Sequence, residues 1–241
     1  MCLIVFAWRV IPGTPLIAVG NRDEFYKRPA APAGWWADFP KVYAGRDLQG
    51  NGTWIGITRD GRFSAVTTVR DGAPKHADAP SRGMLAADFL TGHATPEEYI
   101  TGIAKEAGRY NGFNLLVGTG AELTWFSNRS AADARNGKPL PSGVYGLSND
   151  GLDSCWPKVV KAKAEFSSLL CQGATLDAFF EMLTDTTRAA DSRLPSTGSD
   201  LETERMLSAV CVESPDYGTR TSTFVQLDDA GMALLHERSV K

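Results

Sequence analysis

Histidine and cysteine are both scarce in this chain, with three of the first and four of the second in 241 residues. His76, His93 and His236 have no partner at metal-ligand spacing, and Cys2, Cys155, Cys171 and Cys211 lie far apart without paired spacing. That pattern argues against a zinc site and a disulfide framework, and it suits a reducing compartment. No apolar run approaches the roughly 18 residues needed to span a bilayer. Arg9 interrupts the first apolar stretch and no basic segment precedes it, so no signal peptide is expected and the cytoplasm is the expected location. A net charge of −3 gives no basic excess for nucleic acid or an anionic membrane surface. Gly118-Thr119-Gly120 lacks the third glycine of a dinucleotide fingerprint, and Gly45–Thr53 lacks the Gly-Lys-Ser/Thr of a phosphate loop.

Apolar residues, by contrast, make up 43% of the chain, enough for a sizeable core. Residues 2–10 and 16–21 are apolar on both alternating faces, as expected of strands covered on both sides, with Pro12-Gly13-Thr14-Pro15 turning between them. Residues 53–59 and 62–70 form a second hairpin about Asp60-Gly61. Lys27–Lys41, with three prolines and the pair Trp35-Trp36, reads as a long loop over something apolar. A helix is expected over Ser81–Gly92. Another starts at Thr95-Pro96-Glu97-Glu98, where Thr95 can cap and Glu98 can close a capping box. Strands follow at 113–118, 123–128 and near 143–148, helices at about 157–170, 175–187 and 201–208, and a closing hairpin at 219–228 and 232–238. Strands and helices in alternating blocks describe an α+β layered single domain over 1–241.

Cys2 opens the first strand. Removal of Met1 would place a thiol (pKa about 8.5) and a free α-amine (about 7.7–8.0) on one carbon, so the amine could act as the thiol's own base. The same residue could equally be an ordinary core cysteine. A turn about Pro12-Gly13 makes antiparallel partners sum to about 25, which sets Cys2 opposite Asp23, beside Arg22 and Asn21. There Arg22 could favour the thiolate and Asp23 could hold the ammonium. Alternatively the two form a strand-end ion pair worth at most about 1 kcal/mol if exposed.

Met1-Cys2-Leu3-Ile4-Val5-Phe6-Ala7-Trp8 and Asn21-Arg22-Asp23-Glu24-Phe25-Tyr26 are followed by Gly52-Thr53-Trp54-Ile55-Gly56 and Asn111-Gly112-Phe113-Asn114. Further on come Tyr145-Gly146-Leu147-Ser148-Asn149, Trp156-Pro157-Lys158 and Tyr217-Gly218-Thr219-Arg220. Together these resemble the NRDE family, also called the transport and Golgi organisation 2 family, along nearly the whole chain. The resemblance implies the four-layer αββα sandwich of N-terminal-nucleophile hydrolases. Comparison with the bile-salt and penicillin amidases of that superfamily implies Cys2, Arg22, Asp23, Asn149 and Arg220 as catalytic residues, with Asn149 donating to the oxyanion. Arg220 could also be a strut between layers.

Two functions follow from the resemblance. One is a Cys2-dependent hydrolase of amides or thioesters that requires no cofactor and no metal. The other is a non-catalytic carrier or chaperone for haem, acyl-coenzyme A or lipid. In it Asn21, Trp35, Trp36, Arg46 and Trp54 would line the ligand pocket, an arginine would bind a propionate or phosphate, and haem would be cargo. The expected partner is thus a small molecule (an acyl amide, an acyl thioester or haem), with no nucleic acid and no integral membrane segment; the sequence does not define an oligomeric state.

Overall fold

The computed structural model describes residues 2–74 and 76–241; Met1 and Lys75 lie outside the described residues. In chain order come β1 (Cys2–Ile11), β2 (Thr14–Phe25), β3 (Ala30–Trp35), β4 (Val42–Asp47), β5 (Ile55–Thr58) and β6 (Phe63–Thr68). Two helices follow, α1 (Arg82–Thr91) and α2 (Pro96–Glu106), then β7 (Phe113–Gly118), β8 (Leu123–Ser127), β9 (Lys138–Pro139) and β10 (Gly143–Leu147). The chain then runs through α3 (Pro157–Gln172), α4 (Leu176–Met182), α5 (Leu201–Leu207), β11 (Tyr217–Leu227) and β12 (Ala233–Ser239). The strands form two antiparallel sheets, ordered β10-β1-β2-β11-β12 and β3-β4-β5-β6-β7-β8-β9. Among the described residues no helix is long and apolar enough to cross a membrane.

Alternation along β1 explains the layering. Ile4, Phe6 and Trp8 point between the sheets and meet Ile57, Phe63 and Trp125 of the second sheet. Leu3, Val5 and Ala7 point the other way, onto Val159 and Phe166 of α3 and Phe179 of α4. On the far side Val66, Leu115 and Val117 pack against Leu85 and Phe89 of α1 and Ile100 of α2. The result is the expected αββα sandwich, with β1 buried on both faces because each face has its own apolar layer.

The local signals for α2 operate as expected. The Thr95 hydroxyl accepts from the Glu98 N–H, and the Glu98 carboxylate accepts from the Thr95 N–H. Two expectations change. Lys27–Lys41 contains β3, an edge strand whose register shifts between Ala31 and Gly34, where Pro32 sits. Proline lacks a ladder donor, and an edge or bulge is where a sheet tolerates it. The second correction concerns β1 and β2, whose pairing sums to 25 only at Ile11↔Thr14 and to 24 from Trp8↔Leu16 to Cys2↔Arg22. A bulge between Trp8 and Ile11, with Arg9 at φ 50°, absorbs the extra residue. Cys2 therefore faces Arg22, not Asp23.

Phe6 is fully buried between the sheets and stacks on Tyr145 with ring centroids 5.2 Å apart. Phe6→Ala should cost about 3–5 kcal/mol of stability, read from the urea unfolding midpoint. A loss below about 1 kcal/mol would show that the inter-sheet layer does not hold the fold together.

Candidate active site

Cys2 and Arg22 are cross-strand partners whose side chains share the inward face of the first sheet. The Arg22 guanidinium lies 4.3 Å over the Trp54 ring and is only 5% exposed. Its nearest carboxylates are Asp47 at 3.7 Å and Glu24 at 3.9 Å, both longer than a hydrogen bond. Asp47 is instead held by Arg28 at 2.7 Å and by the N–H groups of Gln49 and Gly50. Burial opposes ionisation of Asp47, but these donors outweigh it and keep its carboxyl below the usual range.

These groups open onto a cavity of 420 Å³ bordered by Cys2, Arg22, Asp23, Arg28, Asp47 and Trp54. The segment from His76 to Gly83 forms another wall. It is secured by Asn111, whose amide donates to the His76 C=O at 3.0 Å and accepts from the His76 N–H at 2.9 Å. At Gly52 any Cβ would collide with the backbone of Gly83, so this glycine permits the loop before β5 to press against the start of α1. That approach brings Arg82 to the cavity wall.

Asp23, one residue beyond Arg22, points to the opposite face of the sheet and accepts a hydrogen bond from the Thr219 hydroxyl at 2.7 Å. Its main-chain carbonyl accepts from the Tyr217 phenol at 3.1 Å. Burial raises the Asp23 pKa, while Lys158 and Thr219 pull it back. Lys158, in the first turn of α3, is only 2% exposed, and burial lowers its pKa against the attraction of Asp23. A cation is disfavoured at a helix N-terminus as well as by burial, so its position is costly twice over. Beside it Arg70 stacks on Trp156 and pairs with Glu204 at 2.7 Å. The Cys2 thiol is also raised by burial, with Asp23 and Glu24 adding to the shift and Arg22 opposing it.

The other expected site residues are dispersed. Asn149 is buried, and its amide donates to the Thr68 carbonyl at 2.9 Å and to the Thr68 hydroxyl at 3.2 Å; Thr68 in turn lines the cavity. Arg220 donates to the carbonyls of Phe25 and Arg28, strapping the chain that follows β2. Asn21 points away from the cavity and donates to the carbonyls of Leu183 and Val210. Trp36 bonds the Ala44 carbonyl, Arg46 lies over Trp36 and pairs with Asp38, and Trp35 meets Tyr43 edge to face. Of the tryptophans considered as ligand contacts, Trp54 is the one along the cavity. Sequence reasoning assigned no role to Arg82 or Lys158, although for Lys158 its place in the first turn of a helix, where a cation is disfavoured, is a signal of placement.

The four-layer sandwich, with Cys2 opening an interior strand of its five-stranded sheet, has the fold of an N-terminal-nucleophile hydrolase. Among solved structures the chain is similar to a Caenorhabditis elegans N-acylethanolamine-hydrolyzing acid amidase ortholog, with a TM-score of 0.51, 11% identity, and 92% of each chain covered. At that identity the likeness is one of fold. The family model for transport and Golgi organisation 2 matches residues 1–241. The chain is 33% identical over 262 residues to the Transport and Golgi organization protein 2 homolog of Bos taurus, covering 100% of this chain and 93% of that one. It is 32% identical over 261 residues to the Homo sapiens homolog, with the same coverage. The protein belongs to the transport and Golgi organisation 2 family.

Because Arg22 is the cation paired across from Cys2, Arg22→Met should move the pH midpoint of Cys2 alkylation by iodoacetamide upward. In the native protein that midpoint should already lie above an ordinary thiol's. Peptide mapping separates Cys2 from the exposed Cys155 and Cys171. An unchanged or lowered midpoint in Arg22→Met would overturn the assignment of Arg22 as the thiolate's partner.

Proposed function

We propose that the protein is a hydrolase of amides or thioesters in which Cys2, freed by removal of Met1, is the nucleophile. The observation that carries this reading is the pairing of Cys2 with a buried Arg22 that makes no side-chain hydrogen bond among the described residues, at the edge of a cavity. The α-amine of Cys2 takes the thiol proton, and sulfur attacks the acyl carbon. The carbonyl π electrons move to oxygen, where the Arg22 guanidinium opposes the developing charge. Collapse breaks the C–N or C–S bond. The leaving group departs with the proton held by the α-ammonium, and a thioester remains on Cys2. Water then attacks that thioester, releasing the acid and restoring the thiol.

Asp23 lies within electrostatic reach of Cys2 and holds the α-ammonium in position. Asn149 and Arg220 act one step removed, by fixing Thr68 and the Arg28 carbonyl in the cavity wall. Asn114 contributes to the same scaffold, bonding the Thr67 hydroxyl and the Asp150 carbonyl.

Intact-mass spectrometry of protein from cells should show a chain beginning at Cys2. A panel of N-acyl amides and acyl thioesters should yield acid release that Cys2→Ala reduces by about 10³-fold or more. Retention of Met1 would remove the proposed base, and release surviving Cys2→Ala would remove the nucleophile.

A further inference from the structure

The cavity contains a cation that its carboxylates do not meet. Three arginines border it, Arg22, Arg28 and Arg82, with the carboxylates Asp23, Glu24 and Asp47, of which Asp23 is turned to the Thr219 hydroxyl. Arg28 and Asp47 satisfy each other at 2.7 Å. Glu24 has its closest cation contacts with Arg28 at 3.8 Å and Arg22 at 3.9 Å. Arg22 has the Cys2 thiol across from it and Arg28 has Asp47, so geometry singles out Arg82 as the arginine without an anion of its own. Arg82 has no carboxylate within 4 Å among the described residues; it donates Nη1–H to the Gly112 carbonyl at 3.0 Å and nothing else. Its remaining donors are available to the cavity it borders.

The helix that carries Arg82 supplies no counter-charge either. Arg82 is the first residue of α1, whose N-cap Ser81 makes no side-chain cap and whose first turn holds no acidic residue. Helix N-termini ordinarily attract carboxylates to offset the partial positive charge of their free N–H groups. Here the position is given to a cation, and Ser81, Arg82 and Gly83 all border the cavity. Arg22, 5% exposed and making no hydrogen bond among the described residues, faces the same space. Arg22 and Arg82 thus both reach the cavity without a hydrogen-bonded carboxylate among the described residues.

We propose that the ligand carries an anionic group, a carboxylate or a phosphate, received by Arg82 and the first amides of α1 while its acyl carbon lies at Cys2. Arg82 is thereby a specificity-determining residue. The proposal rests on the hydrolase reading for where the acyl carbon sits, whereas the anion subsite itself does not require turnover. Neutral acyl compounds of equal size bind more weakly because they leave the Arg82 charge desolvated and unmatched.

The test is protection of Cys2 from iodoacetamide in the full chain, quantified on the Cys2 peptide, with N-acetylglycine against the neutral N-acetylglycinamide and inorganic phosphate as a third arm. The acid should half-protect at a concentration at least about tenfold below that of the amide. Arg82→Gln, which keeps a donor for the Gly112 carbonyl, should bring the two to parity; Arg82→Lys should retain a preference. Phosphate protection that disappears in Arg82→Gln also supports the subsite and extends it to a phosphate. Equal protection by acid and amide in the native chain, protection by neither, or a preference that survives Arg82→Gln overturns the proposal. Intact mass on the same samples separates the two readings. Retained Met1 removes the proposed base but leaves the comparison legible, because alkylation needs only the thiol.

Discussion

The register between β1 and β2 is the constraint on which the site depends. Side chains alternate along a strand, so a one-residue slip would send Ile4, Phe6 and Trp8 into the helix layer and Leu3, Val5 and Ala7 between the sheets. Both sets are apolar, so hydrophobicity alone distinguishes the two registers weakly. What separates them is size and shape: Phe6 and Trp8 fill the wide inter-sheet space, and the smaller Val5 and Ala7 fit beneath α3. The bulge at Arg9 lets the turn close without disturbing that choice. It is also what sets thiol and guanidinium side by side.

Charge is then sorted across the sheet. Arg22 on the inner face and Asp23 on the outer are adjacent in sequence but face different sets of neighbours, and both act on the Cys2 thiol. The inner set is Arg22, Arg28 and Arg82 with Glu24 and Asp47 along the cavity. The outer one is a mixed cluster in which Asp23, Lys158, Glu204 and Arg70 balance one another beneath α3 and α5. Neighbouring residues of β2 thereby set a cation across from the nucleophile of β1 and turn the supporting carboxylate toward Thr219. Burial raises both the thiol and the carboxyl, so charging either one costs more here than in water. Such tension is typical of sites kept for chemistry rather than for stability.

How much of this could be read in the sequence varies with the range of the interaction. Thr95 and Glu98 announce the start of α2 because a capping box is closed within four residues. The hairpin at Asp60-Gly61 is legible for the same reason, as is the closing pair around Asp229-Ala230-Gly231. β3 is not, because Pro32 argues against a strand until one knows that its position is an edge and a bulge. Cys2 beside the Asn21–Glu24 segment was legible to within one residue, and the error came from a bulge that no nearby residue advertises. Arg82 was beyond reach. Its importance lies in the carboxylates it does not meet, and that depends on the approach of Gly52 to Gly83 from another part of the chain.

The sheet that presents Cys2 joins distant parts of the polypeptide: Arg22 pairs with Thr221, 199 positions later (221 − 22). β2 therefore lacks one neighbour until β11 has been synthesised. At about 5–20 residues per second, that leaves the leading segment without its final partner for on the order of ten to forty seconds. Under the nucleophile reading, this delay has a use. An aminopeptidase trimming the nascent chain meets an extended, unpacked N-terminus throughout the interval, and the mature sandwich need never admit it. Maturation would then be timed by translation, with topology serving as the clock.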